Sequence, residues 1–283
     1  MVEGIATLEE HRCFGGVQGF YEHASAVVGL PMRFGVYVPP QALREARPVL
    51  YCLAGLTCNE QTFAIKAGAQ QHAARHGLVL VTPDTSPRGH GVAAADADWD
   101  FGTAAGFYLD ATAQPYARHW RMESWLLQEL SPLLATRFPV RDDATGILGH
   151  SMGGHGALTL ALRHPGRFRT VSAFAPICAP AEVPWGEKAF HGYLGEDRAA
   201  WAQHDAVQLI LAGARAPELL VDQGLEDPFL ATQLRPERLE EACAATGQSL
   251  KLRRHAGYDH GYFFISTLVG EHLAHHAAGL VRD

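Results

Sequence analysis

The sequence predicts an α/β protein with a mostly parallel central sheet of about eight strands and helices on both faces. Three observations carry this. Apolar, β-forming runs alternate with helix-period segments through most of the chain. Runs such as "PVLYCLAG" and "LVLVTPD" are apolar without alternation, as expected of strands covered on both faces. At 283 residues and 47% hydrophobic content, the chain can also bury one large core. No internal repeat, low-complexity tract or Pro/Ser-rich linker interrupts it, so the expectation is one domain over 1–283.

In chain order, "VQGFYEHAS" and "RFGVYVPP" collect β-forming residues punctuated by Gly29, Pro31, Pro39 and Pro40, which predicts an antiparallel entry. "PVLYCLAG" is the first buried strand, and "EQTFAIKAGAQQHAARHG" the first helix, ended by Gly77. "LVLVTPD" repeats the strand. After a glycine- and aspartate-rich segment at 85–117 comes the helix "RMESWLLQELSPLLATRF", stopped before Pro139. "TGILGH" and "MGGHGALTLALRH" are a strand and a helix with almost no loop between them. "TVSAFAP" and "ELLVDQG" add strands, "RPERLEEACAATG" a helix opened by proline and closed by glycine, "SLKLRRHAG" a strand and "GYFFISTLVGEHLAHHA" the last helix. The segments at 85–117 and 176–206 break the alternation. Their aromatics and glycines are not a disordered composition, so each is expected to be an irregular rim around a site.

Composition narrows the function classes. Charged residues are 19% of the chain and the net charge of -7 is spread without a basic block or acidic tail, which argues against a nucleic-acid partner. "MVEGIATLEEHRCFGG" has neither a cationic start nor a long apolar run, and no stretch approaches a membrane span; a cytoplasmic protein without membrane attachment is expected. Five cysteines (Cys13, Cys52, Cys58, Cys178, Cys243) form no CxxC pair and read as reduced thiols. Near the C-terminus His272, His275 and His276 cluster, but no acid or cysteine sits beside them in sequence. They read as a packed or solvated helix end, with no metal implied.

The chemistry concentrates in "ILGHSMGGHGAL". Its GxSxG motif at 149–153 lies between a buried strand and a helix, the context a nucleophilic serine needs to stand on a sharp turn; Ser151 is the candidate. A serine hydroxyl needs a base to take its proton and an acid to orient that base. On the chain order of α/β-hydrolases both lie downstream, the acid after a late strand and the histidine after the last one. "ELLVDQGLEDPF" offers Asp222, Glu226 and Asp227; "LRRHAGYDHGYFF" offers His255 and His260. Asp222 sits at the strand end, where it is expected to shape the turn, whereas Asp227 lies further into the loop before Pro228. His260 follows the glycine turn and precedes the last helix, so Asp227 and His260 are preferred. His150 and His155 flank the serine and are read as bystanders. Oxyanion donors are expected from the N–H of Met152 and from Leu56 or Thr57, after "VLYCLAG".

Taken with "YCLAGLTCNEQTF", "KAGAQ", "DTSPRG", "WDFGTAAGFYLDAT", "SAFAPICAP", "PWGEKAFHGYLGED", "VDQGLEDPFL" and "GYDHGYFFI", these segments resemble the esterase D or S-formylglutathione hydrolase family, in the family's order from about residue 20 to the last helix. The resemblance implies the α/β-hydrolase fold and hydrolysis of S-formylglutathione to glutathione and formate in formaldehyde detoxification, with side activity on short carboxylic esters. It implies a cytoplasmic homodimer, no cofactor, a triad on Ser151, Asp227 and His260, and oxyanion donors on Leu56 and Met152. Cys58 matches a cysteine that in the family lies near the site and confers sensitivity to thiol reagents; a buried small hydrophobe is the alternative reading. Tyr108, Trp185 and Lys188, in the two irregular segments, are candidates to line the acyl or glutathione pocket. The chain departs from the family's usual "TE(Q/E)NF" and "YDHSYYF" at Asn59, Thr62 and Gly261, which bears on substrate preference and not on the triad.

Overall fold

The computed structural model describes residues 4–281; the expected domain limits of 1–283 include 1–3 and 282–283, which lie outside the described residues. Strands β1 (Ile5–Cys13), β2 (Gly16–Ala24), β3 (Pro31–Val38), β4 (Arg47–Leu53), β5 (Val79–Pro83), β6 (Val140–His150), β7 (Thr170–Phe174), β8 (Leu219–Gly224) and β9 (Leu250–His255) form one sheet in the order β1-β2-β3-β5-β4-β6-β7-β8-β9. The pairs β1/β2, β2/β3 and β3/β5 are antiparallel and every later pair is parallel.

The helices are α1 (Glu60–Lys66), α2 (Gln70–His76), α3 (Met122–Ser124), α4 (Ser131–Arg137), α5 (Met152–Arg163), α6 (Pro184–Leu194), α7 (Arg198–Ala202), α8 (Ala206–Leu211), α9 (Pro236–Thr246) and α10 (Tyr262–Leu280). Helix α10 packs on α2 and on β6 and β7, while α5, α8 and α9 pack in series and α5 covers β4, β6 and β7. Strands β5, β7 and β8 are buried along their whole length, as their unbroken apolar runs require. Among the described residues no helix is long and apolar enough to cross a membrane. This is the expected α/β-hydrolase arrangement.

Four local readings change. The sheet has a ninth strand: β1 is almost wholly exposed and carries Glu9, Glu10, His11 and Arg12, so it lacks the apolar alternation that marks a strand and is a charged edge. The predicted helix after β4 is two, separated at 67–69. The helix before β6 contains a π-helical segment, Trp125–Leu130, between α3 and α4. The stretch 176–206 is not irregular: it holds α6 and α7, and α8 begins at its end.

The sheet order positions the site. From β4 the chain steps outward to β5, then returns across β4 to β6, so the crossovers leave β4 on opposite sides and open a crevice at the carboxyl ends of these strands. Register places Leu53 of β4 beside Gly149 of β6, and Ser151 follows immediately above.

Candidate active site

Strand β6 ends at His150 and α5 begins at Met152, so Ser151 alone makes the turn, with φ 58° and ψ -119°. A non-glycine residue held there costs of order 1–3 kcal/mol and persists only where the surroundings fix it. They do: the Ser151 N–H donates to the Phe174 carbonyl at 3.0 Å, and its own carbonyl accepts from the Ile177 N–H at 3.3 Å. The flanking glycines are steric necessities. A Cβ on Gly149 would lie 1.9 Å from the Gly153 carbonyl oxygen, and one on Gly153 would lie 2.1 Å from that of Leu53.

Ser151 and His260 line one pocket, and Asp227 stands behind the histidine. His260 Nδ1 donates to Asp227 Oδ2 at 2.6 Å. The carboxylate side chain is fully buried; its Oδ1 accepts from the Phe229 N–H at 2.9 Å, and Oδ2 also accepts from the Gln223 amide at 3.2 Å. Asp222 does not shape the turn as expected. It is fully buried at the end of β8, where the Arg253 guanidinium holds both its oxygens at 2.6 Å and His272 Nε2 lies 3.2 Å away. His255 ends β9 and faces Asp222 at 3.4 Å. His272 and His276 are buried, not solvated, and His276 bonds the hydroxyls of Thr170 and Ser172 at 2.6 and 2.7 Å. The fold thus brings His272 the acid that sequence proximity lacked. Among the described residues no His/Cys/Asp/Glu group could hold a metal ion.

Two backbone donors border the serine. Met152 is the first residue of α5, where the N–H has no carbonyl one turn earlier to bind. In the loop after β4, the Thr57 N–H is spent on Ala104 at 3.0 Å and that of Cys58 on Gly55 at 3.4 Å, which leaves Leu56, a pocket-lining residue, as the candidate donor of the three. This loop is clamped from below. The Cys58 carbonyl accepts from Thr85 Oγ1 at 2.6 Å and from Arg88 Nη2 at 3.0 Å, and the Tyr108 hydroxyl donates to the Ala54 carbonyl at 2.9 Å. Tyr108 is therefore not a pocket wall: it is buried beneath the loop, and burial raises its hydroxyl well above the ordinary value, so it is a neutral donor. Cys58 does line the pocket, with its thiol pushed up by burial against smaller lowering contributions from Thr62 and Tyr262.

The pocket is small, about 240 Å³. Trp185, on α6, forms one wall as expected, and packs against Trp99 and Phe229, which the sequence reading did not single out. Lys188, on the same helix, does not line it: Nζ bonds Asp100 at 2.5 Å and Asp98 at 3.0 Å, tying α6 to the 85–117 segment.

The reading of His155 as a bystander agrees with its position. It is fully buried between Phe107 and Phe190, and burial lowers its pKa to about 4. His150 is different. Its Nε2–H donates to the His260 carbonyl at 3.1 Å, its ring lies 4.6 Å from the His260 ring, and it forms part of the pocket wall. Burial, then the adjacent His260, hold its pKa well below the usual histidine value, so it is neutral. Gln223 was also missed. Neither role has a sequence signal, because one depends on a partner over 100 residues away and the other on how the loop after β8 folds back on the strand.

A family model described as Esterase matches residues 25–275. The S-formylglutathione hydrolase of Mus musculus is 48% identical over 275 residues, covering 96% of this chain and 98% of that protein. That of Rattus norvegicus is 47% identical with the same coverage. A solved S-formylglutathione hydrolase structure from Agrobacterium tumefaciens superposes with a TM-score of 0.95 at 46% identity, covering 97% of this chain and 99% of the other. With the elbow, the buried acid and the sheet order in agreement, the chain belongs to the S-formylglutathione hydrolase family of esterases.

Proposed function

We propose that the protein hydrolyses S-formylglutathione to glutathione and formate, the second half of glutathione-dependent formaldehyde detoxification, and cleaves short carboxylic esters as a side activity. His260 takes the Ser151 proton while Asp227 holds the imidazole in the tautomer that leaves Nε2 free. Ser151 Oγ attacks the formyl carbonyl, and the N–H groups of Leu56 and Met152 stabilise the oxyanion. The C–S bond breaks, the glutathione sulfur leaves with the proton returned through His260, and a formyl-serine remains. Water, deprotonated by the same histidine, then releases formate. As written, the chemistry uses no metal or organic cofactor.

The observation that carries this reading is the 2.6 Å His260–Asp227 hydrogen bond at the back of a pocket that also contains Ser151. The small volume and the aromatic wall of Trp99, Trp185 and Phe229 support a minimal acyl group. A steady-state comparison of S-formylglutathione with S-acetylglutathione and p-nitrophenyl acetate tests it: kcat/KM is expected to be highest for the formyl thioester. A preference for p-nitrophenyl acetate would instead identify a general short-chain esterase.

Single-domain organisation, a cytoplasmic location and a homodimer belong to the same proposal. Exposed Phe14 and Ile65 line one surface hollow and offer apolar surface for association. Sedimentation equilibrium is expected to give twice the chain mass.

A further inference from the structure

A second cavity, larger than the one around Ser151, lies nearby. About 550 Å³ in volume, it lies on the other side of the oxyanion loop and is lined by Glu22, Arg33, Asn59, Glu60, Asp84 and Arg88 among others. Register fixes how far it is from the serine. Val81 of β5 and Ile147 of β6 both face Tyr51 of β4, so Asp84, just past β5, stands level with His150. Two strand spacings separate them, about 10 Å.

The charges in this cavity do not balance. Asp84, buried on the floor, is held by Arg88 at 2.8 and 3.1 Å, and Arg33 on the rim is paired with Glu22 at 2.9 Å. Glu60 is only 2% exposed, yet no side chain among the described residues makes a hydrogen bond or ion pair to it. Burial, then the neighbouring Asp84, raise its carboxyl above the ordinary value, against smaller lowering contributions from its own backbone N–H and the charges of Arg33 and Arg88. The lining therefore sets three carboxylates against two partly exposed guanidiniums with donors to spare, and Glu60 is the carboxylate in no side-chain ion pair. A ligand with an ammonium and a carboxylate on one carbon satisfies both.

We infer that this cavity is the subsite for the γ-glutamyl end of the glutathione leaving group, with Glu60 receiving its α-ammonium and Arg33 and Arg88 its α-carboxylate. The inference rests on the S-formylglutathione reading above. About seven bonds run from the cysteinyl sulfur to the γ-glutamyl α-carbon, roughly 8 Å when extended, so the arm covers most of the about 10 Å between the backbones at His150 and Asp84, and the long side chains lining the cavity have to close the rest. Asn59 and Glu60 directly follow the oxyanion loop, so a thioester seated at Ser151 would send its longer arm over Cys58 into the cavity.

The test compares kcat/KM for S-formylglutathione with that for N-acetyl-S-formylcysteinylglycine, in which acetyl replaces the γ-glutamyl group. The wild-type ratio is expected to favour glutathione by tenfold or more, carried by KM. Glu60→Gln, which keeps the volume and removes the charge, should lower that ratio about tenfold. Arg33→Gln, at the half-exposed rim and safe for folding, should lower it in the same direction. A wild-type ratio near one, or a ratio unchanged in both variants, overturns the subsite while leaving the hydrolase reading intact. Failure of the wild-type enzyme to turn over S-formylglutathione overturns both.

Discussion

Replacing Asp227 by asparagine leaves the volume unchanged and alters one set of hydrogen bonds. Phe229 N–H donates to Oδ1, so the asparagine oxygen stays there, and its NH2 takes the place of Oδ2. At that place stand two donors, the Gln223 amide and His260 Nδ1–H. Three donors cannot share one spot. His260 resolves the conflict by moving its proton to Nε2 and accepting at Nδ1, which is the tautomer unable to deprotonate Ser151. In serine triads the wrong tautomer costs about 10⁴ in kcat, or roughly 5.5 kcal/mol of barrier. Steady-state turnover of S-formylglutathione by Asp227→Asn is therefore expected to fall by about that factor, while urea denaturation changes by less than ~2 kcal/mol. A loss below tenfold in a folded variant would refute the assignment of Asp227 as the orienting acid.

Asp222→Asn is the complementary case: it strips the charge from a buried partner of Arg253, and the urea midpoint should drop by an amount equivalent to about 3 kcal/mol while kcat stays within a few-fold. Burial raises the Asp222 carboxyl, but hydrogen bonds and charge from His272 and Arg253 pull it well below its ordinary value. A depressed folded pKa gives stability that is present above the unfolded value and lost as pH falls below it, so between about pH 4 and pH 2 wild type should lose stability more steeply than Asp222→Asn. His150→Phe, which keeps a ring against His260 but loses the donor to its carbonyl, should lower kcat by roughly 10- to 100-fold through misplacement of the base. Because His150 is held neutral, the acid limb of the pH–rate profile should keep its shape in that variant. Gly153→Ala forces a Cβ into the Leu53 carbonyl and should lower the melting temperature by several degrees, with turnover lost in parallel.

Most of the fold was legible because buried parallel strands leave continuous apolar runs, and β4 through β9 each do so or sit beside a helix with clear ends. The edge was not. Strand β1 exists because its backbone pairs with β2, and its charged side chains answer to solvent and edge protection, so neither face carries a pattern. Helix α6 hid for the opposite reason. Glycines at 186 and 192 lower its intrinsic propensity, and the helix is held instead by burial of Trp185, Phe190 and Tyr193.

The same division runs through the site. Ser151, Asp227 and His260 can be proposed from the sequence because the fold fixes where along the chain a turn, an acid loop and a base loop must fall; position, at a strand end or in the loop beyond it, is what favours Asp227 over Asp222 and His260 over His255. What order cannot give is which side chains hold those three in place. His150 stands one residue before the serine but acts on a carbonyl 110 positions away, and Gln223 reaches Asp227 only because the loop after β8 folds back on the strand. Tyr108 and Lys188 fail as wall residues on the same ground, since an aromatic or a lysine in a rim segment is equally able to point inward, beneath a loop or toward Asp98 and Asp100. Chain order and loop position therefore nominate the residues proposed to do the chemistry, and three-dimensional packing identifies those that fix their geometry. It follows that substitutions at the second group should alter rate without abolishing it, the intermediate losses expected of His150→Phe beside the near-total loss expected of Asp227→Asn.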